Sequence, residues 1–119
     1  MRWYIVILVL VYKIVFLTED FNNSIKQADV VYQTRIQKER FSTKKNYLKY
    51  FGKYIINTNT LKILKNKAII MHPLPRVNEI TKEVDSDHRA VYFEEAQNGV
   101  YVRMALLALL FDKSQLKQT

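Results

Sequence analysis

Apolar residues in this chain come in short runs, separated by polar stretches that open on good helix caps. Val30, Val31 and Tyr32 form one run, and residues 68–71 form another. Runs this short, rich in β-branched side chains, predict short buried strands. Ahead of the first run, Asn23 caps a predicted helix over 24–28. Between the runs, Ser42 or Thr43 caps a helix reaching Phe51, where Gly52 stops it. Asn57 or Thr58 then opens another, which ends near Asn66. Helix alternating with short strand predicts an α/β fold, part of a doubly wound parallel sheet with flanking helices. Ligands of such sheets bind at the carboxyl ends of the strands. The polar segments after Tyr32 and after Met71 both leave strands at that end, so the pattern predicts that they converge on one site.

Two stretches stand apart. Residues 3–17 are apolar almost throughout, broken only by Lys13. A spanning helix needs about 20 apolar residues, so a membrane anchor over 3–17 is disfavoured. Arg2 and residues 5–11 resemble a secretory signal, but no small-x-small cleavage site follows. The β-branched and aromatic content suits strand, with a mis-started reading frame as the companion reading. At the other end, a helix is predicted from near Asp87 to Phe111. Its first half has a polar face with Glu94, Glu95, Gln97 and Asn98, whereas from Val100 onward nearly every face is apolar, Arg103 excepted. A helix apolar all round must be buried on most sides, so this one is expected to need a neighbour.

Composition narrows the function. The 119 residues have room for one domain with one core. With 49% apolar and 25% charged residues and only two glycines and two prolines, the chain reads as globular, without flexible linkers. The absence of cysteine excludes disulfides, thiolate nucleophiles and cysteine-containing zinc sites. It fits a reducing, cytoplasmic setting. With His72 and His88 the only histidines, no metal site is expected, and no cofactor. The net charge of +8 favours anionic partners. The lysines are scattered as on a solvated surface, so nucleic acid is not expected.

Three motifs are long and compositionally unusual. The first runs Ala28-Asp29-Val30-Val31-Tyr32-Gln33-Thr34-Arg35-Ile36-Gln37-Lys38-Glu39-Arg40-Phe41. The second is Met71-His72-Pro73-Leu74-Pro75-Arg76-Val77, followed by Glu79-Ile80. The third comprises Val84-Asp85, Arg89-Ala90, Tyr92-Phe93, Gly99 and residues 102–107. Together they resemble the C-terminal, aspartate-binding part of aspartate carbamoyltransferases, from about Phe16 to Phe111. Ornithine carbamoyltransferases share the architecture but carry cysteine where this chain has Pro73, and a different motif over 34–40. Residues 1–17 lie outside the resemblance; residues 18–119 correspond to a partial aspartate-binding domain.

The resemblance implies transfer of a carbamoyl group from carbamoyl phosphate to L-aspartate, in pyrimidine biosynthesis. It implies that Arg35 and Gln37 contact aspartate, with Lys38 and Glu39 supporting the loop. The chemistry is apt, because a guanidinium grips a carboxylate through two parallel hydrogen bonds. It further implies a cis peptide at Leu74-Pro75, in a turn that aims the carbonyls of Pro73 and Leu74 at the substrate amines, a proximity effect. Pro73, Leu74 and Pro75 are therefore the expected catalytic turn. His72 is expected to be a hydrogen-bonded turn residue, with Arg76 beside it in support.

Nothing in the sequence matches the family's Ser-Thr-Arg-Thr phosphate loop, which belongs to an N-terminal carbamoyl-phosphate domain. The family's last helix packs back on that domain, and the intact enzyme is a homotrimer. The chain alone is thus expected to be inactive and to associate through residues 100–110. The alternative is a non-catalytic amino-acid-binding or subunit-interacting module. A small basic membrane or nucleic-acid protein ranks behind both, since it leaves the motifs unexplained.

Overall fold

The computed structural model describes residues 5–9 and 14–111. Strands β1 (Ile5–Val9) and β2 (Ile14–Thr18) pair antiparallel, with Ile5 opposite Thr18 and Val9 opposite Ile14. The strand reading of the N-terminal stretch therefore holds for these two segments; its remaining residues, 3–4 and 10–13, lie outside the described ones.

Helix α1 spans Phe21–Gln27 and starts earlier than Asn23 predicted. Asp20 is the cap, accepting from the Asn23 backbone N–H at 3.1 Å and from the Asn23 side-chain amide at 2.6 Å. A carboxylate at a helix N-terminus outcompetes a neutral amide, because it also meets the positive end of the helix dipole. Helix α2 (Lys44–Leu48) is capped by Thr43, and α3 (Thr58–Ile63) by Asn57. Both helices end sooner than predicted. Beyond α2, tight turns carry the chain to Gly52, whose φ of +76° is the left-handed conformation that glycine adopts freely.

Strands β3 (Val30–Tyr32) and β4 (Ile69–Met71) pair in parallel, Val30 with Ile69 and Tyr32 with Met71. On the other side of β4, the Ile70 N–H donates to Arg89 O at 2.7 Å, and the Val91 N–H donates to Ile70 O at 3.0 Å. The β3–β4 pair and this bridge form a small parallel ribbon. The strands are not buried throughout, as the apolar runs suggested: Val31 and Ile70 point into the core, while Val30 and Tyr32 are more than half exposed. Strands alternate their side chains between faces, and these residues cover only one face. The core on that face gathers Ile25, Val31, Ile56, Leu64, Ala68, Ile70, Ile80, Val84 and Tyr92.

Helix α4 spans Tyr92–Phe111 and starts five residues later than expected. The stretch from Asp87 to Val91 is already committed elsewhere. The Asp87 carboxylate accepts from Arg89 Nε and Nη2, each at 2.8 Å, while the Arg89 carbonyl and Val91 N–H pair with β4. Tyr92 is the only buried residue of α4, and every residue from Val100 to Phe111 is exposed.

Candidate functional site

The parallel pairing of β3 and β4 decides where the two polar segments go. The Gln33 N–H donates to Met71 O at 2.9 Å, extending the ladder by one bond before the strands part. Both segments leave from that end, as the pattern predicted.

The first segment carries the chain past Thr34 and Arg35 into a 3₁₀ turn, Lys38–Arg40. Arg35 and Glu39 lie four residues apart, with Arg35 Nη2 3.5 Å from Glu39 Oε1 and both side chains about half exposed. A pair in this setting contributes about 0–1 kcal/mol, so the guanidinium is held loosely and remains open to a ligand. Gln33 Nε2 donates to Tyr54 O at 3.2 Å, tying the start of the segment to the chain beyond α2. At its end, Phe41 packs against Tyr47 and Tyr50, and Tyr47 against Phe51, with ring centroids 5.4–6.0 Å apart. These edge and tilted contacts fix α2 beside the loop.

The second segment is held by two polar networks. His72 is 1% exposed, and its backbone N–H donates to Glu95 Oε2 at 2.9 Å. Its ring Nδ1 accepts from the Leu74 N–H at 2.9 Å, which requires the Nε2–H tautomer, and Nε2 then donates to Glu79 Oε1 at 2.8 Å. The Glu79 carboxylate also accepts from the backbone N–H groups of Val77 and Asn78. Burial opposes the charge on Glu79, but its own backbone N–H and those of Asn78 and Val77, with His72, hold its carboxyl below the usual carboxylate range.

Arg76 anchors the other end of the turn. Its Nη2 donates to Asp85 Oδ2 at 2.6 Å, and its Nη1 donates to Asp85 Oδ1 and, at 3.1 Å, to the Tyr92 hydroxyl. That hydroxyl in turn donates to Asp85 Oδ1. Arg76 holds the Asp85 carboxyl below its usual range, while burial, followed by the adjacent Asp85, pushes the Tyr92 phenol up to about 12. Between the two networks, the Leu74-Pro75 peptide is cis and Leu74 adopts φ +42°. Pro73 and Pro75 are exposed, and Leu74 packs against the core.

A cleft of about 150 Å³ opens between the loops. Arg35, Ile36, Lys38 and Glu39 line it from the first loop, Val77, Asn78 and Glu79 from the second, and Tyr47, Phe51 and Tyr54 from the aromatic segment. Of the residues singled out in the sequence, Arg35, Lys38 and Glu39 thus share one cavity. Gln37 sits at the entry to the 3₁₀ turn, outside the cavity lining. His72, Pro73, Leu74, Pro75 and Arg76 also lie off the lining, with the His72 and Arg76 side chains turned into the networks that hold the turn. Glu79, Asp85, Tyr92 and Glu95 were not singled out as site residues. Their only sequence signal was a place inside or beside the second and third motifs; their partners are set by the tertiary fold.

Residues 12–110 match the family described as aspartate/ornithine carbamoyltransferase, Asp/Orn binding domain. Among characterised relatives, the aspartate carbamoyltransferase catalytic subunit of Clostridium acetobutylicum is 57% identical over 86 residues, covering 72% of this chain and 28% of that protein. The chloroplastic aspartate carbamoyltransferase 1 of Pisum sativum is 53% identical over 94 residues, covering 78% and 24%. The crystal structure of Trypanosoma cruzi aspartate transcarbamoylase in complex with carbamoyl phosphate and aspartate superposes with a TM-score of 0.65 at 39% identity, covering 72% of this chain and 28% of that one. The chain therefore spans about a quarter of the length of these relatives. With the family match running through both loops and into α4, the chain belongs to the aspartate/ornithine carbamoyltransferase family, of which it carries the Asp/Orn binding domain.

Proposed function

We propose that this chain supplies the aspartate-binding half of a site that transfers a carbamoyl group from carbamoyl phosphate to L-aspartate. In that reaction the amine lone pair of aspartate attacks the carbamoyl carbon, the bond from that carbon to the phosphate oxygen breaks, and inorganic phosphate leaves carrying the amine proton, giving N-carbamoyl-L-aspartate. Arg35 and Gln37 grip the aspartate carboxylates. The turn at Pro73, Leu74 and Pro75 directs its carbonyls at the substrate amines. Lys38, Glu39, His72 and Arg76 keep these groups in place. Polypeptide outside these 119 residues supplies the carbamoyl-phosphate half, and the assembled enzyme is a trimer.

The observation that carries this reading is the loosely held guanidinium of Arg35 in a cleft bounded by both loops. Charge separates the family's two amino-acid substrates. Lys38 lines the same cleft, Glu39 faces Arg35, and the Glu79 carboxylate is engaged by His72, Val77 and Asn78. Two cations suit the side-chain carboxylate of aspartate and repel the side-chain ammonium of ornithine. The exposed apolar half of α4 favours a second, compatible reading, in which the chain works as a module docked on another polypeptide.

Calorimetry on the 119-residue chain tests the proposal. L-aspartate should bind and carbamoyl phosphate should not, and the chain alone should form no carbamoyl-aspartate from the two. Binding of L-ornithine in preference to L-aspartate, or turnover by the chain alone, would contradict it.

A further inference from the structure

From Arg35 to Lys53 the sequence holds seven cationic side chains and one carboxylate, Glu39. The lysines are spread along the sequence, but with arginine counted this one stretch is denser in positive charge than their spacing alone suggested. Part of it is neutralised locally: Arg35 faces Glu39 at 3.5 Å, and Lys53 Nζ is 3.1 Å from Glu19 Oε2. Lys44, Lys45 and Lys49 are exposed, and among the described residues no carboxylate pairs with them. Lys45 and Lys49 are four residues apart on one helical turn, a like-charge spacing that works against the helix.

These lysines lie outside the lining of the cleft, on the helical turn whose other face forms part of its wall. Tyr47 and Phe51, which alternate with them in sequence, line the cavity, and Tyr47 is pinned to the Arg35 loop through Phe41. Uncompensated charges on an element that borders a cavity raise the positive potential inside it even without lining it, because the screening length at low salt exceeds the width of a helix. Potentials focused by a cleft accelerate capture of counter-charged ligands by 10–10³-fold and fade as salt rises.

We propose that Lys44, Lys45 and Lys49 form a cationic collector that draws small molecules bearing two anionic groups into the cleft and makes their capture depend on ionic strength. The proposal rests on the aspartate reading above and adds to it a role for residues that need not touch the ligand. The opposite end of the sheet supplies a control. Lys62 on α3 and Lys67 just ahead of β4 are exposed and lie toward the amino end of β4, away from the loops that form the cleft.

The experiment measures L-aspartate affinity of the full chain between about 20 and 300 mM NaCl, a range over which the screening length shrinks severalfold. Lys45→Glu/Lys49→Glu is compared with Lys62→Glu/Lys67→Glu, which changes the net charge equally. The unaltered chain should lose about tenfold in affinity across the range. The Lys45/Lys49 reversal should weaken low-salt binding by about tenfold and flatten the salt dependence, while the control pair stays within about twofold of the unaltered chain. Lys45→Gln/Lys49→Gln, the gentler change, should fall between, and far-ultraviolet circular dichroism confirms folding of each variant. Equal effects of the two reversals, or an unchanged salt dependence, would overturn the collector while leaving the aspartate reading standing. A chain that binds no aspartate at any salt would overturn that reading and the collector with it.

Discussion

Replacing Tyr92 by phenylalanine isolates one hydroxyl at the centre of the network that anchors the proline turn. The ring is 0% exposed and packs edge-on against Phe93 at 4.8 Å, so phenylalanine keeps the packing. What is lost is the donor to Asp85 and the acceptor for Arg76. Hydrogen bonds to charged groups contribute about 1.5–3 kcal/mol each. Here both Arg76–Asp85 bonds survive, and the two side chains keep 18% and 28% exposure, so water replaces part of the loss. The net cost should be about 1–2 kcal/mol, a fall in Tm of roughly 5–15 °C for a domain of this size. A second signature lies in alkali. The Tyr92 phenol is pushed up to about 12 in the folded chain, chiefly by burial, against about 10 when unfolded. A raised pKa means that this contribution is fully present below pH ~10 and is lost as pH rises through ~12. Urea unfolding followed by circular dichroism at neutral pH, and again between pH ~9 and ~11, reads both effects, with the variant showing the shallower alkaline decline. A variant within about 0.3 kcal/mol of the unaltered chain at neutral pH, with the same alkaline slope, would refute the network as described.

Three further outcomes follow from local geometry. Asp87→Asn takes the counter-charge from Arg89, which is 8% exposed, and replaces one of its two carboxylate acceptors by an amide donor, which should cost about 2–4 kcal/mol in urea unfolding. The Asp87 carboxyl is held down to about 2, first by Arg89, so its stabilisation is present above the unfolded value near 4 and is lost as pH falls through ~2. The variant should therefore show a weaker loss of stability in acid. Gly52→Ala meets only ordinary contact, with the Ile55 side chain 3.9 Å away, but forces a β-carbon into φ +76°, so thermal unfolding should report a cost of about 1 kcal/mol. Leu106→Glu/Leu109→Glu acts on exposed positions of α4 and should change stability by less than about 0.5 kcal/mol. Sedimentation should show the same pair reducing self-association.

Local chemistry made much of the scaffold legible. The caps of α2 and α3 are Thr43 and Asn57, each one of the two neighbours the sequence offered, because a cap is a contact between residues two or three apart. The apolar runs at Val30 and around Ile70 marked both strands, and their alternation with helices implied the parallel pairing. What was missed depended on distant partners. Arg89 reaches the Leu64 carbonyl at 3.1 Å and its own carbonyl pairs with β4, so the last helix could not begin until Tyr92. Glu79 reads in sequence as one more loop carboxylate; only the closed turn brings the His72 ring and two backbone donors onto it. The strands were expected to be buried, and only Val31 and Ile70 are, because short apolar runs carry no record of which face a neighbouring element covers.

The most direct test of the aspartate half-site is a titration of the ¹⁵N-labelled chain with L-aspartate, followed at the backbone amides of Arg35, Gln37, Val77, Asn78 and Glu79. If the two loops form one site, both sets of resonances should move along a single saturating curve. Arg35→Lys, which keeps the charge but not the two-pronged grip, should weaken that curve by roughly tenfold without disturbing the fold. Resonances that stay still, or that move in one loop only with no sensitivity to Arg35→Lys, would contradict it.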